Sequence, residues 1–142
     1  MRCIDIMKSH VQTVSVTDTV QTAAQKMALA NVGFLPVSDG ATLVGTITDR
    51  DITIRAVASG RTPAECSVGE VMTRDIVACQ PDDDLTTAEQ LMAQTQKARL
   101  LVTDERGRLV GVLSLSDIAE NEPNRRVART LREVAAREAP RH

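Results

Sequence analysis

The sequence predicts an α+β protein made of two tandem strand–helix–strand–strand–helix repeats, packed sheet to sheet with pseudo-twofold symmetry. Three observations carry that expectation. Asp5-Ile6-Met7 returns as Glu70-Val71-Met72, Val20 as Leu85, Ala23 as Ala88 and Met27 as Met92, all at one offset. Further on, Leu43-Val44-Gly45-Thr46-Ile47-Thr48-Asp49-Arg50-Asp51-Ile52 is echoed by Leu109-Val110-Gly111-Val112-Leu113-Ser114-Leu115-Ser116-Asp117-Ile118. The offset there is longer by one residue, because the turn at Asp104-Glu105-Arg106-Gly107 is longer than Asp39-Gly40-Ala41. Finally, a unit of roughly 60 residues buries too little surface to be comfortable alone, and its two helices cannot cover both faces of its sheet.

The elements follow in order. Val11, Val14 and Val16, with polar residues between, predict a short strand. Thr17-Asp18-Thr19 offers capping oxygens to a helix that carries Val20, Ala23, Ala24, Met27 and Ala28 at helical spacing. The apolar run Val32-Gly33-Phe34-Leu35-Pro36-Val37 and the run Leu43-Val44-Gly45-Thr46-Ile47 form a hairpin about Ser38-Asp39-Gly40. Ile52, Ile54, Arg55, Ala56 and Val57 belong to a second helix that stops near Gly60 and Pro63. Ser67-Val68-Gly69-Glu70 has capping-box spacing and opens the second repeat.

That repeat keeps the order. Ile76-Val77-Ala78-Cys79 is a strand, and Pro81 with Asp82-Asp83-Asp84 opens a helix bearing Leu85, Ala88, Leu91 and Met92. Leu100-Leu101-Val102 and residues 109–113 form the hairpin, and Asp117-Ile118-Ala119 starts the last helix of the unit. The predicted organisation is residues 1–62 for repeat 1, 63–120 for repeat 2, and 121–142 for an amphipathic helical tail. In the tail, Val127, Leu131 and Val134 share a face ringed by Arg125, Arg126, Arg129, Arg132 and Arg137. A basic helix docked on its own domain is the plain reading; a partner or dimer contact is the other.

Composition narrows the function classes. The chain has 142 residues, 42% hydrophobic and 25% charged, as ordinary globular proteins do. It has no Trp, no Tyr and a single Phe, so its core is aliphatic and it lacks the stacking platforms of single-strand nucleic-acid binders. A formal charge of −2 supplies no general attraction to phosphate backbones. No apolar run reaches the length of a membrane span and no signal peptide opens the chain, so the expected location is the cytoplasm. Cys3, Cys66 and Cys79 show no C-x-x-C spacing, and neither His10 nor His142 lies at a zinc-site interval from them. Buried thiols are expected, and no metal.

The chemistry sits in residues 45–51 and 111–117. Each segment puts a hydroxyl residue at a strand end and a carboxylate three residues on, at the opening of a helix. Ser/Thr-x-x-Asp is also a capping box, and a lone example would be read as that. Two features add to it. The glycine three residues before the hydroxyl permits close approach of a ligand or of neighbouring backbone. The strand-to-helix junction exposes N–H groups at the positive end of a helix dipole, which suits phosphate. A carboxylate there accepts hydrogen bonds from both ribose hydroxyls, while Thr48, Ser114 and Arg50 suit the phosphate.

This doubled unit, with G-h-h-[ST]-x-x-D closing each copy and Thr48-Asp49-Arg50-Asp51-Ile52 in the first, resembles a tandem pair of CBS domains (a Bateman module) over about residues 3–120. A free-standing pair with a short tail is similar to the small, stand-alone, stress-associated members. The resemblance implies two equivalent clefts between the repeats. In one, Ser114, Ser116 and Asp117 would face a wall of Met7, Gln12, Val32, Gly33 and Phe34. In the other, Thr48, Arg50 and Asp51 would face Met72, Val77, Ala98, Arg99 and Leu100, with Arg99 toward phosphate. Ser116 stands where the first motif has Arg50, and Arg99-Leu100-Leu101-Val102 lacks the proline of Phe34-Leu35-Pro36-Val37.

The implied function is a non-catalytic regulatory module that takes AMP, ADP, ATP or S-adenosylmethionine and passes a shape change to an effector protein. The competing reading is a structural or interaction dimer without a small-molecule ligand, its motifs serving only as caps. An enzyme is disfavoured, since no nucleophile–base pair or histidine-bearing cleft is visible. The small apolar residues Ala23, Ala24, Met27, Ala88, Leu91 and Met92 on the helices, together with the resemblance, predict a homodimer of four repeats in a flattened disk.

Overall fold

A computed structural model describes residues 1–121 and 125–136, without the side chains of Arg125 and Arg126. The chain order is α1 (Cys3–Ile6), β1 (Val14–Ser15), α2 (Val20–Ala30), β2 (Phe34–Asp39), β3 (Thr42–Thr48) and α3 (Asp49–Asp51), which continues as a π-helical stretch (Ile52–Val57). After a 3-10 turn at Pro63–Glu65 come α4 (Val68–Val71), β4 (Ala78–Cys79), α5 (Leu85–Thr95), β5 (Arg99–Thr103), β6 (Leu109–Ser114), α6 (Leu115–Asn121) and α7 (Arg125–Ala135). The strands make two three-stranded sheets, β1-β2-β3 and β4-β5-β6. The architecture is α+β, with the predicted unit built twice. Arg137, expected on the tail helix, lies outside the described residues.

The chain divides into two compact units, Val11–Ile76 and Met1–His10 with Val77–His142. In the first unit, Thr19 caps α2 by accepting a hydrogen bond from the Thr22 N–H at 3.1 Å. Asn31, at φ 54°, ends that helix in the left-handed conformation a C-cap requires. β1 runs parallel to β2, and β2 pairs antiparallel with β3 from Phe34↔Thr48 to Val37↔Gly45. The register then slips so that Ser38 faces Leu43 and Val44 is the extra residue of a bulge. Val14, Val20, Ala23, Leu35, Val37, Ile47 and Ala56 pack the core with Val68, Val71 and Met72.

The second unit repeats these devices at equivalent places. Asp84 caps α5 through the Thr86 N–H at 2.9 Å, and Gln96, at φ 55°, closes it. β5 and β6 pair from Arg99↔Ser114 to Val102↔Gly111, and the register slips at the matching point, Val102/Thr103. Cys3, Leu85, Ala88, Met92, Leu100, Val102, Leu113 and Ile118 make the core, to which Val127 and Val134 of α7 add.

Each unit borrows its short first helix from the opposite repeat. In the second unit Cys3 N–H donates to Asp83 O, Ile4 N–H to Pro81 O, and Leu85 N–H to Met1 O, at 2.9 to 3.1 Å. In the first unit Val68 N–H donates to Asp18 O, Gly69 N–H to Val16 O, and Val20 N–H to Cys66 O, at 2.8 to 3.0 Å. The same three bonds recur at repeat-equivalent positions. The sequence repeat and the compact unit are therefore offset, because α1 and α4 find their hydrogen-bond partners in the loop between the first strand and the long helix of the other copy.

Three expectations are corrected. The first strands of the repeats are two residues long, Val14–Ser15 and Ala78–Cys79, rather than the longer runs read from Val11 to Val16 and Ile76 to Cys79. Only that much of each pairs in register with its neighbour. Of the small apolar residues assigned to a dimer contact, Ala23, Met27, Ala88 and Met92 are buried in the cores of their own units. The docked face of α7 is Val127, Thr130 and Val134, while Leu131 is 55% exposed at its edge. Thr130 turns inward because α7 packs over the polar side of α5, where Thr86, Glu89 and Gln90 line a cavity with Arg129, Thr130 and Glu133.

Candidate functional site: two strand-end junctions

In both units a strand runs directly into a helix, and the junction carries the hydroxyl and the carboxylate. Thr48 Oγ1 accepts from the Asp51 N–H at 3.0 Å, and the Thr48 N–H donates to Asp51 Oδ2 at 3.0 Å. Ser114 Oγ accepts from the Asp117 N–H at 3.0 Å, and the Ser114 N–H donates to Asp117 Oδ2 at 3.2 Å. Both motifs are thus reciprocal capping boxes. Capping occupies Oδ2 in each case. Oδ1 of Asp117 lies 3.6 Å from the Lys8 ammonium, and Oδ1 of Asp51 lies 3.4 Å from the Thr73 hydroxyl and 3.9 Å from the Arg55 guanidinium. Each carboxylate side chain retains 12% exposure.

The glycines settle what the close approach is for. An added Cβ at Gly111 would stand 2.8 Å from Met7 Sδ and 2.9 Å from Lys8 O; at Gly45 it would run into the Thr73 carbonyl oxygen. At Gly45 the nearest neighbour is backbone; at Gly111 it is the Met7 thioether, with the Lys8 carbonyl beside it. Lys8 and Val112 exchange two hydrogen bonds at 2.9 Å, and Thr46 and Thr73 exchange two at 2.8 and 2.9 Å. Each glycine therefore admits the segment that follows the borrowed helix, and with it Lys8 or Thr73 reaches the aspartate. Arg55, on the π-helical stretch, closes the same corner by donating to the carbonyls of Val71 and Met72 at 3.1 Å, which satisfies the end of α4.

The expected site residues divide between the units. Gln12, Val32, Gly33, Phe34, Thr48, Arg50, Asp51 and Met72 lie in the first unit; Met7, Val77, Ala98, Arg99, Leu100, Ser114, Ser116 and Asp117 lie in the second. Phe34 faces Thr48 across β2–β3, and Arg99 faces Ser114 across β5–β6. Gly33 O accepts from Asp49 N–H at 3.0 Å, and Ala98 O accepts from Leu115 N–H at 2.8 Å, so these residues flank the junctions. Arg50, Ser116, Gln12 and Val32 are exposed, whereas Met72 and Leu100 are buried core residues. The two junctions differ at one coupled pair. A Cβ on Gly33 would meet Asp49 Oδ2 at 2.7 Å, whereas Ala98 stands beside Leu115, which carries no carboxylate.

Lys8, Thr73 and Arg55 did not figure among the expected residues. A signal for the first two exists: each directly follows the repeated methionine, Met7 or Met72. Among groups with shifted titration, Glu70 is held below the ordinary carboxylate value, chiefly by the Ser67 backbone N–H it accepts at 2.8 Å. Cys3 and Cys79 are buried thiols with sulfurs 3.7 Å apart. Cys79 donates to Cys3, which pushes the Cys79 thiol up and Cys3 down. Among the described residues, no group of three or more His, Cys, Asp or Glu is placed to hold a metal ion. Nor is any helix among them long and apolar enough to cross a membrane.

The family model described as the CBS domain matches the chain twice, over residues 3–57 and 68–124. Among curated proteins, the CBS domain-containing protein YhcV of Bacillus subtilis is 43% identical over 118 residues, 83% of either chain. Hypoxic response protein 1 of Mycobacterium tuberculosis is 31% identical over 133 residues, 93% of this chain and 92% of that one. A solved structure of Hypoxic Response Protein I, with two coordinated zinc ions, aligns at TM-score 0.77 and 32% identity over 87% of this chain and all (100%) of that one. CBSX2 in complex with AMP aligns at TM-score 0.71 and 26% identity, covering 84% and 94%. The CBS domain pair of MJ0100, in complex with 5′-methylthioadenosine and S-adenosyl-L-methionine, aligns at TM-score 0.76 and 25% identity, covering 85% and 98%.

Proposed function

The chain belongs to the CBS-domain family, and from that premise we propose that it is a non-catalytic regulatory module that binds an adenosine nucleotide or related adenosine compound at its strand-end junctions. It works as a homodimer in the cytoplasm and signals to an effector protein. The observation that carries this is the doubled junction, in which each aspartate caps its helix with Oδ2 and keeps Oδ1 beside a hydroxyl or a cation. Such an oxygen is suited to accept from a ribose hydroxyl, and the cation beside it suits a phosphate. Similar proteins solved with AMP, 5′-methylthioadenosine and S-adenosylmethionine support the adenosine chemistry.

In this reading Asp51 grips ribose at the first junction, with Thr48 and Arg50 beside it. Asp117 does so at the second, with Ser114 and Ser116. Lys8 is displaced from Asp117, or turns to the phosphate, when the ligand enters. A second reading has a specific observation in its favour. Both capping boxes are already closed, and the space over both glycines is filled by the segment that follows each borrowed helix, which is all that a purely structural module needs.

Calorimetric titration of AMP, ATP and S-adenosylmethionine into the wild type, Asp51→Ala and Asp117→Ala separates the two. Ligand reading: heat with the wild type, and in each variant an affinity lower by roughly tenfold to more than a hundredfold at its own junction, the size of a lost charge-assisted hydrogen bond. Structural reading: destabilisation by about 0.5–2 kcal/mol from a lost cap, with no ligand heat in any protein. No heat from any of the three compounds with the wild type overturns the proposal.

A further inference from the structure

Where a borrowed helix meets the first strand, the two units bury the same pair of positions but fill them with different chemistry. In the first unit Val68 opens α4 and Val14 lies on β1, opposite Val37 of β2, and both valines are core residues. In the second unit the equivalent positions are Cys3, which opens α1, and Cys79 on β4, opposite Val102 of β5. The backbone fixes the equivalence: Val68 N–H donates to Asp18 O where Cys3 N–H donates to Asp83 O. The first unit thus fills with a valine pair what the second fills with a cysteine pair. The Cys3 and Cys79 sulfurs stand 3.7 Å apart, although 76 positions separate them in the chain. Packing alone does not require thiols there, since valines serve in the twin.

The pair also sits where it anchors a functional segment. Cys3 is the one fully buried residue of α1, a single turn whose Ile4 is 45% exposed. The other ties of that turn are backbone hydrogen bonds to the loop before α5 and an exposed Arg2–Asp82 ion pair at 3.0 Å, which contributes little. Met7 and Lys8 follow directly. Lys8 exchanges two backbone hydrogen bonds with Val112, and its ammonium reaches Asp117 Oδ1 at 3.6 Å. A one-turn element held this way opens locally at low cost, and the opening admits a small solute to Cys3. A covalent tie from Cys3 to Cys79 would bar that opening.

We propose that Cys3 and Cys79 form a reversible dithiol–disulfide switch that clamps α1 to β4 and so fixes the Lys8 segment at the Asp117 junction. The oxidant is hydrogen peroxide, which is small enough to enter a briefly opened core. Cys3 is the attacking sulfur, because the Cys79 S–H donates to it and holds its thiol below the ordinary value. The Cys3 thiolate attacks peroxide: the O–O bond breaks, an S–O bond forms, and the departing hydroxide takes up the proton that Cys3 lost, leaving as water. The Cys79 sulfur then attacks the Cys3 sulfur. An S–S bond forms, the S–O bond breaks, and the hydroxyl leaves with the Cys79 proton as a second water. Two thiols are oxidised by two electrons in all, and one peroxide is reduced to two waters. The sulfurs begin in contact, and side-chain rotation brings them to bonding distance. A small thiol reverses the step by exchange. A disulfide of this kind in a reducing compartment is transient and signalling rather than permanent.

The test takes the full chain, reduced and then freed of reductant, treats it with hydrogen peroxide, denatures it in iodoacetamide and maps its peptides by mass. The expected product has an intrachain Cys3–Cys79 bond and an alkyl group on Cys66 alone, and dithiothreitol before alkylation returns Cys3, Cys66 and Cys79 to the alkylated state. Hydrogen exchange reads the clamp: the Lys8 and Val112 amides slow by roughly tenfold or more in the oxidised chain, because the opening that releases α1 is barred. The double variant Cys3→Val, Cys79→Val copies Val68 and Val14 of the first unit, and its exchange is the same before and after peroxide. Cysteines 3 and 79 that stay alkylatable, that pass to sulfinic acid, or that pair with Cys66 or with another chain overturn the proposal. So does a Cys3–Cys79 bond that leaves exchange at Lys8 and Val112 unchanged, and so does a slowing that persists in the double variant. No nucleotide enters the assay, so the ligand reading stands or falls separately.

Discussion

Gly45→Ala tests the idea that the motif glycine exists to admit backbone. The new Cβ would collide with the Thr73 carbonyl and stand 3.2 Å from Met72 Sδ and 3.3 Å from the Thr73 carbonyl carbon. A side chain could move aside; this carbonyl cannot, because Thr46 and Thr73 exchange hydrogen bonds at 2.8 and 2.9 Å. Overpacking of this kind costs about 1–3 kcal/mol, and strain on the two backbone bonds adds about 0.5–1.5 kcal/mol for each that is lost. Against that, replacing Gly by Ala stiffens the unfolded chain and returns about 0.4–1 kcal/mol. Collision outweighs entropy, and the expected net loss is about 2–4 kcal/mol. Urea unfolding of wild type and variant measures it, and hydrogen exchange at the Thr46 and Thr73 amides locates it. A variant within about 0.5 kcal/mol of wild type, the ordinary range of surface substitutions, with both amides still protected, would refute the reasoning.

Three further outcomes are expected from the same structure. Gly33→Ala should stay within about 0.5 kcal/mol of wild type, since the group its Cβ would meet, Asp49 Oδ2 at 2.7 Å, is the end of an exposed side chain that can turn aside; a loss well above that in urea unfolding would show that the Asp49 carboxylate is held in place. Arg55→Ala should cost about 1–3 kcal/mol, because the Val71 and Met72 carbonyls lose a charged donor; thermal unfolding reads it, and a Tm equal to wild type counts against the role assigned to Arg55. Asp104 is held below the usual carboxylate value, first by the Arg108 backbone N–H and also by that of Arg106. Its stabilising contribution is therefore complete above the unfolded pKa of about 4 and disappears as pH falls through the lower folded value. NMR titration should place the Asp104 midpoint below that of an unfolded aspartate; a midpoint at or above it would contradict the turn geometry.

Much of this was legible without coordinates because it is local or periodic. The Thr19 and Asp84 caps, the Ser114–Asp117 box and the hairpins all depend on residues within a few positions of one another, where chain connectivity limits the geometry. Repetition amplified that signal, since each local pattern was seen twice. The short outer strands were over-read for the same reason: Val11 and Ile76 continue the alternation, but strand length is set by how far a neighbour's register extends. Leu131 also fits the apolar stripe of α7, yet the helix rolled to bring Thr130 over a polar cavity.

The amino-acid sequence by itself determined the doubled α+β unit, its capping boxes and the hydroxyl-x-x-Asp junctions, because spacing along one chain sets all three. Tertiary structure alone decided which partner each element would meet. Two acceptable docking places exist for α1 and α4 in a chain of two like repeats, and pattern cannot choose between like surfaces. The choice fell to the opposite sheet, where the Thr73 and Lys8 backbones fit over Gly45 and Gly111. That packing turned two glycines from candidate ligand approaches into backbone seats. It also brought Lys8 and Thr73 to the aspartates from far along the chain.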